Sequence, residues 1–157
     1  MTYQQAIDAA MALRPSDFSV FQLARWLCEL DGQLMLDYVA QYATKEQMDA
    51  SYGGRGVESG IAWIIGTIND EDTTSADWAT LMTMQLQAVP APYDGLYEDY
   101  LVMQIDLHNA DYERYNNDAV LYAEKLRTWR DRLSRINLHY LSREDPDTGR
   151  HPTALSF

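Results

Sequence analysis

The residues of this chain that could do chemistry are few and scattered. The three histidines, His108, His139 and His151, lie far apart in different segments. A zinc site needs Cys and His ligands at short, regular spacings, and no such spacing occurs. The single cysteine, Cys28, lies inside a helical pattern without the sequence surroundings of a nucleophile. We expect it to be a small core residue, as free cysteines usually are.

The remaining candidate motifs are incomplete. The glycine-rich run 53–56 lacks the Lys and Ser/Thr that follow in a phosphate-binding loop. Asp70, Asp72 and Asp77 resemble fragments of a calcium loop, but its central glycine and bidentate glutamate are missing. Adjacent carboxylates such as those at 98–99 occur in any acidic chain and do not indicate acid–base catalysis without a cleft. The sequence therefore predicts no catalytic residue, no metal site and no cofactor.

Tyrosines give the strongest local signal, because six of the eleven lie between positions 93 and 122. Tyr93, Tyr97 and Tyr100 are four and three residues apart, and Tyr112 and Tyr115 are three apart, so each set falls on one helix face. The rings either fill the seam between two helices or form a subunit interface, where tyrosine is enriched. The polar partners available to their hydroxyls are Asn116 and Asn117.

Charge is unevenly distributed along the chain. The 157 residues carry 24 acidic and 12 basic side chains, a net charge of −12. Such a balance argues against nonspecific binding to nucleic acid or to an anionic membrane, both of which need basic patches. Residues 1–100 hold 4 basic and 15 acidic side chains, whereas residues 101–157 hold 8 and 9. The later basic residues form a stripe that is either a solvated helix face or a charge-complementary subunit contact: Lys125, Arg127, Arg130, Arg132 and Arg135.

The elements that position these residues are predicted to be helices at both ends of the chain. Thr2 with Gln5 forms a capping pattern that begins a helix over 2–13. Ser19 begins a second helix, over about 19–43, with an apolar stripe at helical spacing. The prolines near 90–92 lead into a third helix over 92–108, with Pro92 at its first turn. A turn at Asn109 in the left-handed conformation and a cap at Asp111 then begin a fourth helix over 111–137.

The middle and the end of the chain lack this regularity. Residues 44–87 are predicted to be an irregular insertion that carries either a hairpin or short helices. The β-branched run 61–68 favours a short strand, and Ser75 or Asp77 caps a short segment. The fold class predicted is all-α, a small bundle with a long αα-hairpin, forming one domain over 1–138. Residues 139–157 are predicted to be an extended tail. The longest apolar run is too short to span a bilayer, and the first residues lack the pattern of a signal peptide.

The chain contains the run Pro90-Ala91-Pro92-Tyr93-Asp94-Gly95-Leu96-Tyr97. This run is similar to the "PAPYD-x-LY" signature of a known family, the small head–tail connector proteins of tailed phages and prophages of Gram-positive bacteria. Residues 104–109 and 112–117 resemble its "QID-x-x-N" and "EY-x-RYNN" stretches, and residues 25–32 resemble its "RWL-x-ELDG". The motifs occur in the right order and cover about 2–43 and 88–137.

The resemblance implies a structural protein of the virion neck, assembled in the host cytoplasm. Such proteins form a homo-oligomeric ring, a dodecamer, beneath the portal protein, extend the DNA channel and offer a platform to the next neck protein, a stopper or tail terminator. DNA passes through without sequence-specific binding, and no membrane, catalytic residue or cofactor is implied. An acidic channel suits this role, since like charge keeps DNA from adhering.

We therefore expect subunit or portal contacts at one set of residues. They are Tyr93, Asp94, Tyr97, Tyr112, Tyr115, Asn116, Asn117, Lys125, Arg127, Arg130, Arg132 and Arg135. The alternative is a small cytoplasmic helical module that recognises a partner protein or acts as a regulator through its tyrosine face.

Overall fold

The computed structural model describes residues 1–142, and the side-chain surroundings of residues 1–136. The all-α fold class is confirmed: within this range no β-strand forms, and one isolated antiparallel bridge joins Thr2 to Gln85. A short 3-10 turn, Val39–Gln41, follows the second helix. The helices are α1 Tyr3–Leu13, α2 Val20–Asp37, α3 Lys45–Gly54, α4 Val57–Asn69, α5 Ala76–Thr83, α6 Gly95–His108 and α7 Tyr112–Ser142.

Side-chain caps begin most of these helices. Thr2 makes the predicted capping box with Gln5, and the Ser19 hydroxyl accepts from the Gln22 amide. Thr44 makes a second capping box at the start of α3, which the sequence analysis did not predict. Ser75, one of the two predicted candidates, caps α5. Each cap satisfies an amide that the first helical turn leaves without a partner.

The segment 44–87 is not irregular: it forms α3, α4 and α5, so the alternative of short helices is confirmed and the hairpin is wrong. The run 61–68 belongs to α4 and is neither a strand nor part of a hairpin. The buried positions of α4 are three or four residues apart, which is the helical period: Val57, Gly60, Ile64, Thr67 and Ile68. Burial of that face overrides the β-propensity of the isoleucines, which depends on context.

The predicted αα-hairpin is confirmed, with three corrections. Pro92 precedes α6 instead of lying in its first turn, because the Tyr93 amide bonds to the Pro90 carbonyl in a separate turn. The left-handed residue of the connection is Ala110, with φ +58°, and not Asn109. The Asp111 amide reaches back to the Asp106 carbonyl at 2.9 Å, which closes α6 in a Schellman-type end. α7 continues to Ser142, so residues 139–142 are helical, and the rest of the predicted tail lies outside the described residues.

The core forms where α1 packs on α6 and α2 packs on both α4 and α6. Two glycines allow close approach. A Cβ on Gly32 of α2 would lie 2.6 Å from Ile61, and a Cβ on Gly60 of α4 would lie 2.4 Å from the Tyr52 Cβ. The α2–α4 and α3–α4 contacts therefore depend on positions without a side chain.

Gly60→Ala is expected to lower the free energy of unfolding by about 1–3 kcal/mol, because the new methyl overlaps Tyr52 in a packed core. Gly66 lies in the same helix with open space around it, so it is the matched control. Gly66→Ala is expected to raise the free energy of unfolding by roughly 0.5–1 kcal/mol through helix propensity. Urea unfolding followed by circular dichroism measures both. Equal effects of the two substitutions would contradict the packing argument.

Candidate functional site

A buried carboxylate, Asp31 in the middle of α2, gathers hydrogen bonds from three other parts of the chain. The hydroxyl of Tyr97 in α6 donates to Oδ1 at 2.7 Å, and the hydroxyl of Tyr52 in α3 donates to Oδ2 at 2.9 Å. The backbone amides of Gln87 and Ala88 donate at 3.0 and 2.9 Å. One side chain thereby fixes α2, α3, α6 and the segment that precedes α6.

Local backbone geometry delivers Tyr52 to this carboxylate. Tyr52 lies in the left-handed region, with φ +55°, a conformation that is uncommon for a bulky residue. Three contacts hold it there: its amide donates to the Gln87 side chain at 3.1 Å, its hydroxyl binds Asp31, and its ring packs where Gly60 has no side chain. The surrounding structure therefore offsets the local strain.

The electrostatics of this cluster are those of a buried anion without a cation beside it. No described residue forms an ion pair with Asp31. Burial raises the pKa of the Asp31 carboxyl, and the hydrogen bonds from Tyr97, Ala88, Gln87 and Tyr52 oppose that rise.

Nearby Cys28 is buried, as predicted, and burial raises the pKa of its thiol to about 12. The thiolate needed for nucleophilic chemistry is therefore strongly disfavoured at neutral pH.

The seam between α6 and α7 contains aromatic and ionic contacts. The rings of Tyr100 and Tyr122 lie 5.4 Å apart, as the seam-filling interpretation predicts. Lys125 of α7 forms a 2.6 Å ion pair with Asp99 of α6. Next to this pair is an open groove of about 300 Å³, whose walls come from the segment before α6, the first residue of α6 and α7. Its lining residues are Pro92, Tyr93, Gly95, Glu124, Lys125 and Thr128.

A second charged cluster ties α1 to the hairpin. Arg14, just after α1, lies 3.1 Å from the Asp106 carboxylate and 3.7 Å from that of Asp118. One guanidinium thus faces two carboxylates. Burial, the hydrogen bond with Asp106 and the charge of Asp106 raise the pKa of Asp118 to about 6, while Arg14 opposes the rise. Asp118 therefore takes up a proton as the pH falls through about 6.

The predicted contact residues on α6 and before it have mostly internal roles. Tyr97 is completely buried against Asp31, so its side chain is not available to a partner, and that part of the expected contact set is corrected. Its hydroxyl also accepts from the Val89 amide at 3.0 Å. Asp94 pairs with the amino group of Met1 at 3.0 Å. Tyr93 is half-buried in the groove wall.

On α7 the predicted contact residues divide into two groups. Lys125 is held by Asp99, and the Arg130 guanidinium lies 4.6 Å above the Tyr38 ring. The others reach the surface, although Tyr115 is half-buried, and Tyr112 is 62% exposed. Three arginines of α7 are exposed and form no ion pair with any described residue. We call them the α7 arginine face: Arg127, Arg132 and Arg135. The exposed polar pair near the start of α7 is Asn116 and Asn117.

Sequence reasoning missed two features of this region. Asp31 lies within the apolar stripe of α2, between Leu30 and Leu34, and a carboxylate inside such a stripe signals a buried charge. The packing of the 3-10 turn region on α7 had no sequence signal. There the rings of Tyr38 and Trp129 meet edge to face, with centroids 5.9 Å apart, and Tyr42 hydrogen-bonds Ser134.

Asp31→Asn is expected to lower the free energy of unfolding by about 2–4 kcal/mol, since an amide cannot accept from both pairs of buried donors. Tyr97→Phe removes one donor and should cost about 1–3 kcal/mol. The matched control is Asp37→Asn, an exposed carboxylate on the same helix, with an expected change within about 0.5 kcal/mol. Denaturant unfolding measures all three. An Asp31→Asn protein as stable as the control would contradict the anchoring role.

Asp118→Asn is expected to change the pH dependence of stability. The folded-state pKa of Asp118, about 6, lies above its ordinary value, so the wild-type chain gains stability as the pH falls through 6 towards that ordinary value. The variant lacks this gain and should exceed the wild type in stability at pH 8, by a margin that shrinks towards pH 5. Thermal unfolding between pH 5 and 8 measures it, with the exposed Asp131→Asn as control. A margin independent of pH would exclude Asp118 as the titrating group.

General indicators of function in the described residues are sparse. Residues 1–142 contain no group of three or more His, Cys, Asp or Glu side chains placed to hold a metal ion. Within the same residues, no helix is both long and apolar enough to cross a membrane. No family model matches the chain, and no curated protein or solved structure matches it either. The sequence motifs and the surface of α7 are therefore the features that bear on function.

Proposed function

We propose that this chain is a structural protein of tailed-phage virions, a head–tail adaptor. Copies form a homo-oligomeric ring beneath the portal protein, extend the DNA channel and provide a docking platform for the next neck or tail protein. The observation that carries the proposal is the hairpin: three of the four motifs that resemble the connector family lie in the segment before α6 and on α6 and α7, and α7 exposes polar and basic residues that the fold does not use.

The resembling motifs fall into two structural classes. Asp31 comes from the "RWL-x-ELDG" stretch and Tyr97 from the "PAPYD-x-LY" stretch, and the two side chains meet at 2.7 Å. These residues hold the fold. Asn116 and Asn117, from the "EY-x-RYNN" stretch, are exposed on α7 and make no contribution of this kind. Residues that the fold does not need are candidates for contact with a partner.

The shape of the hairpin also supports an assembly role. α7 has 31 residues and α6 has 14, which correspond to about 46 Å and 21 Å of helix. α6 can therefore cover only the first half of α7. The side chains of Val120 and Leu121 are more than half exposed. A long helix with one packed face and one open face presents a continuous surface to neighbouring subunits.

Net charge suits the passage of DNA. A subunit with a net charge of −12, repeated around a ring, gives the channel a strongly negative field. Such a field opposes the counterion release that drives nonspecific DNA binding, so packaged DNA passes without adhering.

The test uses a phage whose genome encodes this chain. Purified DNA-filled particles should contain the chain in several copies per portal ring, measured by quantitative mass spectrometry, and deletion of the gene should leave heads and tails unjoined in electron micrographs. Neighbouring portal, capsid and tail genes are expected. Absence of the chain from the particles, with recovery of a host protein bound to it instead, would support the alternative of a cytoplasmic protein-binding module.

A paired substitution tests the exposed asparagines. Asn116→Ala with Asn117→Ala should leave the free energy of unfolding within about 0.5 kcal/mol, because both side chains are exposed on a helix. The amount of chain in particles should nevertheless fall severalfold. Glu113→Ala with Thr128→Ala, also exposed on α7, is the matched control. Normal incorporation of the asparagine variant would remove these residues from the contact surface.

A further inference from the structure

The α7 arginine face is basic surface without a partner in the described part of the chain. Arg127, Arg132 and Arg135 are all exposed, whereas the neighbouring cations Lys125 and Arg130 are held by Asp99 and by the Tyr38 ring. Arg132 and Arg135 are three residues apart and are therefore neighbours on the surface of α7. Exposed guanidinium groups suit paired hydrogen bonds to carboxylates.

A matching acidic surface lies at the turn between α4 and α5. Asp70, Glu71, Asp72 and Asp77 are all exposed there, and we call them the acidic corner. The Arg25 side chain approaches this turn, but it binds the amide oxygen of Asn69 and forms no ion pair with the acidic corner. Four carboxylates within eight residues therefore remain free of described cations.

These two surfaces belong to separate parts of the fold. α4 and α5 pack on each other and on α1, α2 and α3, whereas α7 packs mainly on α6. No ion pair joins the two surfaces within one described chain. Because the α7 arginine face and the acidic corner form no ion pairs with each other within one subunit, they can pair between two subunits.

We infer that the α7 arginine face of one copy docks on the acidic corner of the next copy. The two patches differ, so the contact is head-to-tail and generates a ring or a filament, according to whether the rotation closes. The inference names the partner surfaces behind the proposed ring and rests on the proposed function for the expectation that copies assemble.

Charge reversal on each side, separately and together, tests the contact. Arg132→Glu with Arg135→Glu reverses the face, and Asp70→Lys with Glu71→Lys reverses the corner. Each pair should raise the dissociation constant for self-association at least about tenfold, because attraction becomes repulsion at two positions. The quadruple variant keeps the net charge of the wild type and should restore association. Sedimentation velocity of the full chain at low and high salt measures it, and added salt should weaken association of the wild type.

Matched controls separate a specific contact from net charge. Lys45→Glu with Arg114→Glu changes the charge by the same amount as reversal of the face, and Glu46→Lys with Asp49→Lys matches reversal of the corner; all four residues are exposed. Neither control should change the dissociation constant more than about twofold. Circular dichroism checks that every variant is folded. A wild type that stays monomeric at low salt, or a quadruple variant that fails to associate, would overturn the inference.

Two further outcomes are informative. Binding of duplex DNA by the wild type, lost in the Arg132/Arg135 variant while self-association is unchanged, would assign the α7 arginine face to nucleic acid and overturn the inference.

The particle experiment above tests the proposed function without relying on these residues. If the chain is present in particles but charge reversal leaves the dissociation constant for self-association unchanged, only the inferred docking surfaces are wrong. If charge reversal weakens self-association as expected but the chain is absent from particles, the adaptor function is wrong.

Discussion

A buried carboxylate needs either a cation or a set of hydrogen-bond donors, and Asp31 has donors alone. Two tyrosine hydroxyls and two backbone amides converge on it from three segments other than its own helix. Without the carboxylate, each of these donors would lack a hydrogen-bond partner in the core. Removal of Asp31 would therefore lower the free energy of unfolding through all of them together. The packing of α2 against α3 and α6, and the path of the chain into α6, depend on this one group.

This arrangement also determines which residues are free for other tasks. The hydroxyls of Tyr97 and Tyr52 bind Asp31 in the core, and the rings of Tyr100 and Tyr122 pack in the seam between α6 and α7. The polar and basic residues on the open side of α7 have no comparable structural duty. A fold held together by a buried cluster can leave an entire helix face to assembly, because the stability of the domain does not require that face to be covered.

Much of the helical framework was predictable because its signals are local. A Thr, Ser or Asp side chain that accepts from the amide three residues later caps a helix through neighbouring residues alone, and Thr2, Ser19, Ser75 and Asp111 all do so. The apolar spacing of α2 and of the hairpin helices is also a property of nearby residues. Asp31 was a partial signal: its place in an apolar stripe indicates burial, but its donors are 21 to 66 residues away along the chain.

The sequence by itself determined the all-α class, the hairpin and the uneven charge, since helical period, capping and charge counts are read without knowledge of distant contacts. Tertiary structure decided between the hairpin and the short helices predicted for residues 44–87. The isoleucines of α4 fit either a strand or a helix, and the face of α4 that is buried depends on its packing against α2 and α3. Tertiary structure also decided that Tyr97 turns inward and the α7 arginine face outward. The direction in which a side chain points depends on which helices pack around it, and this is a long-range property that spacing along one helix does not contain.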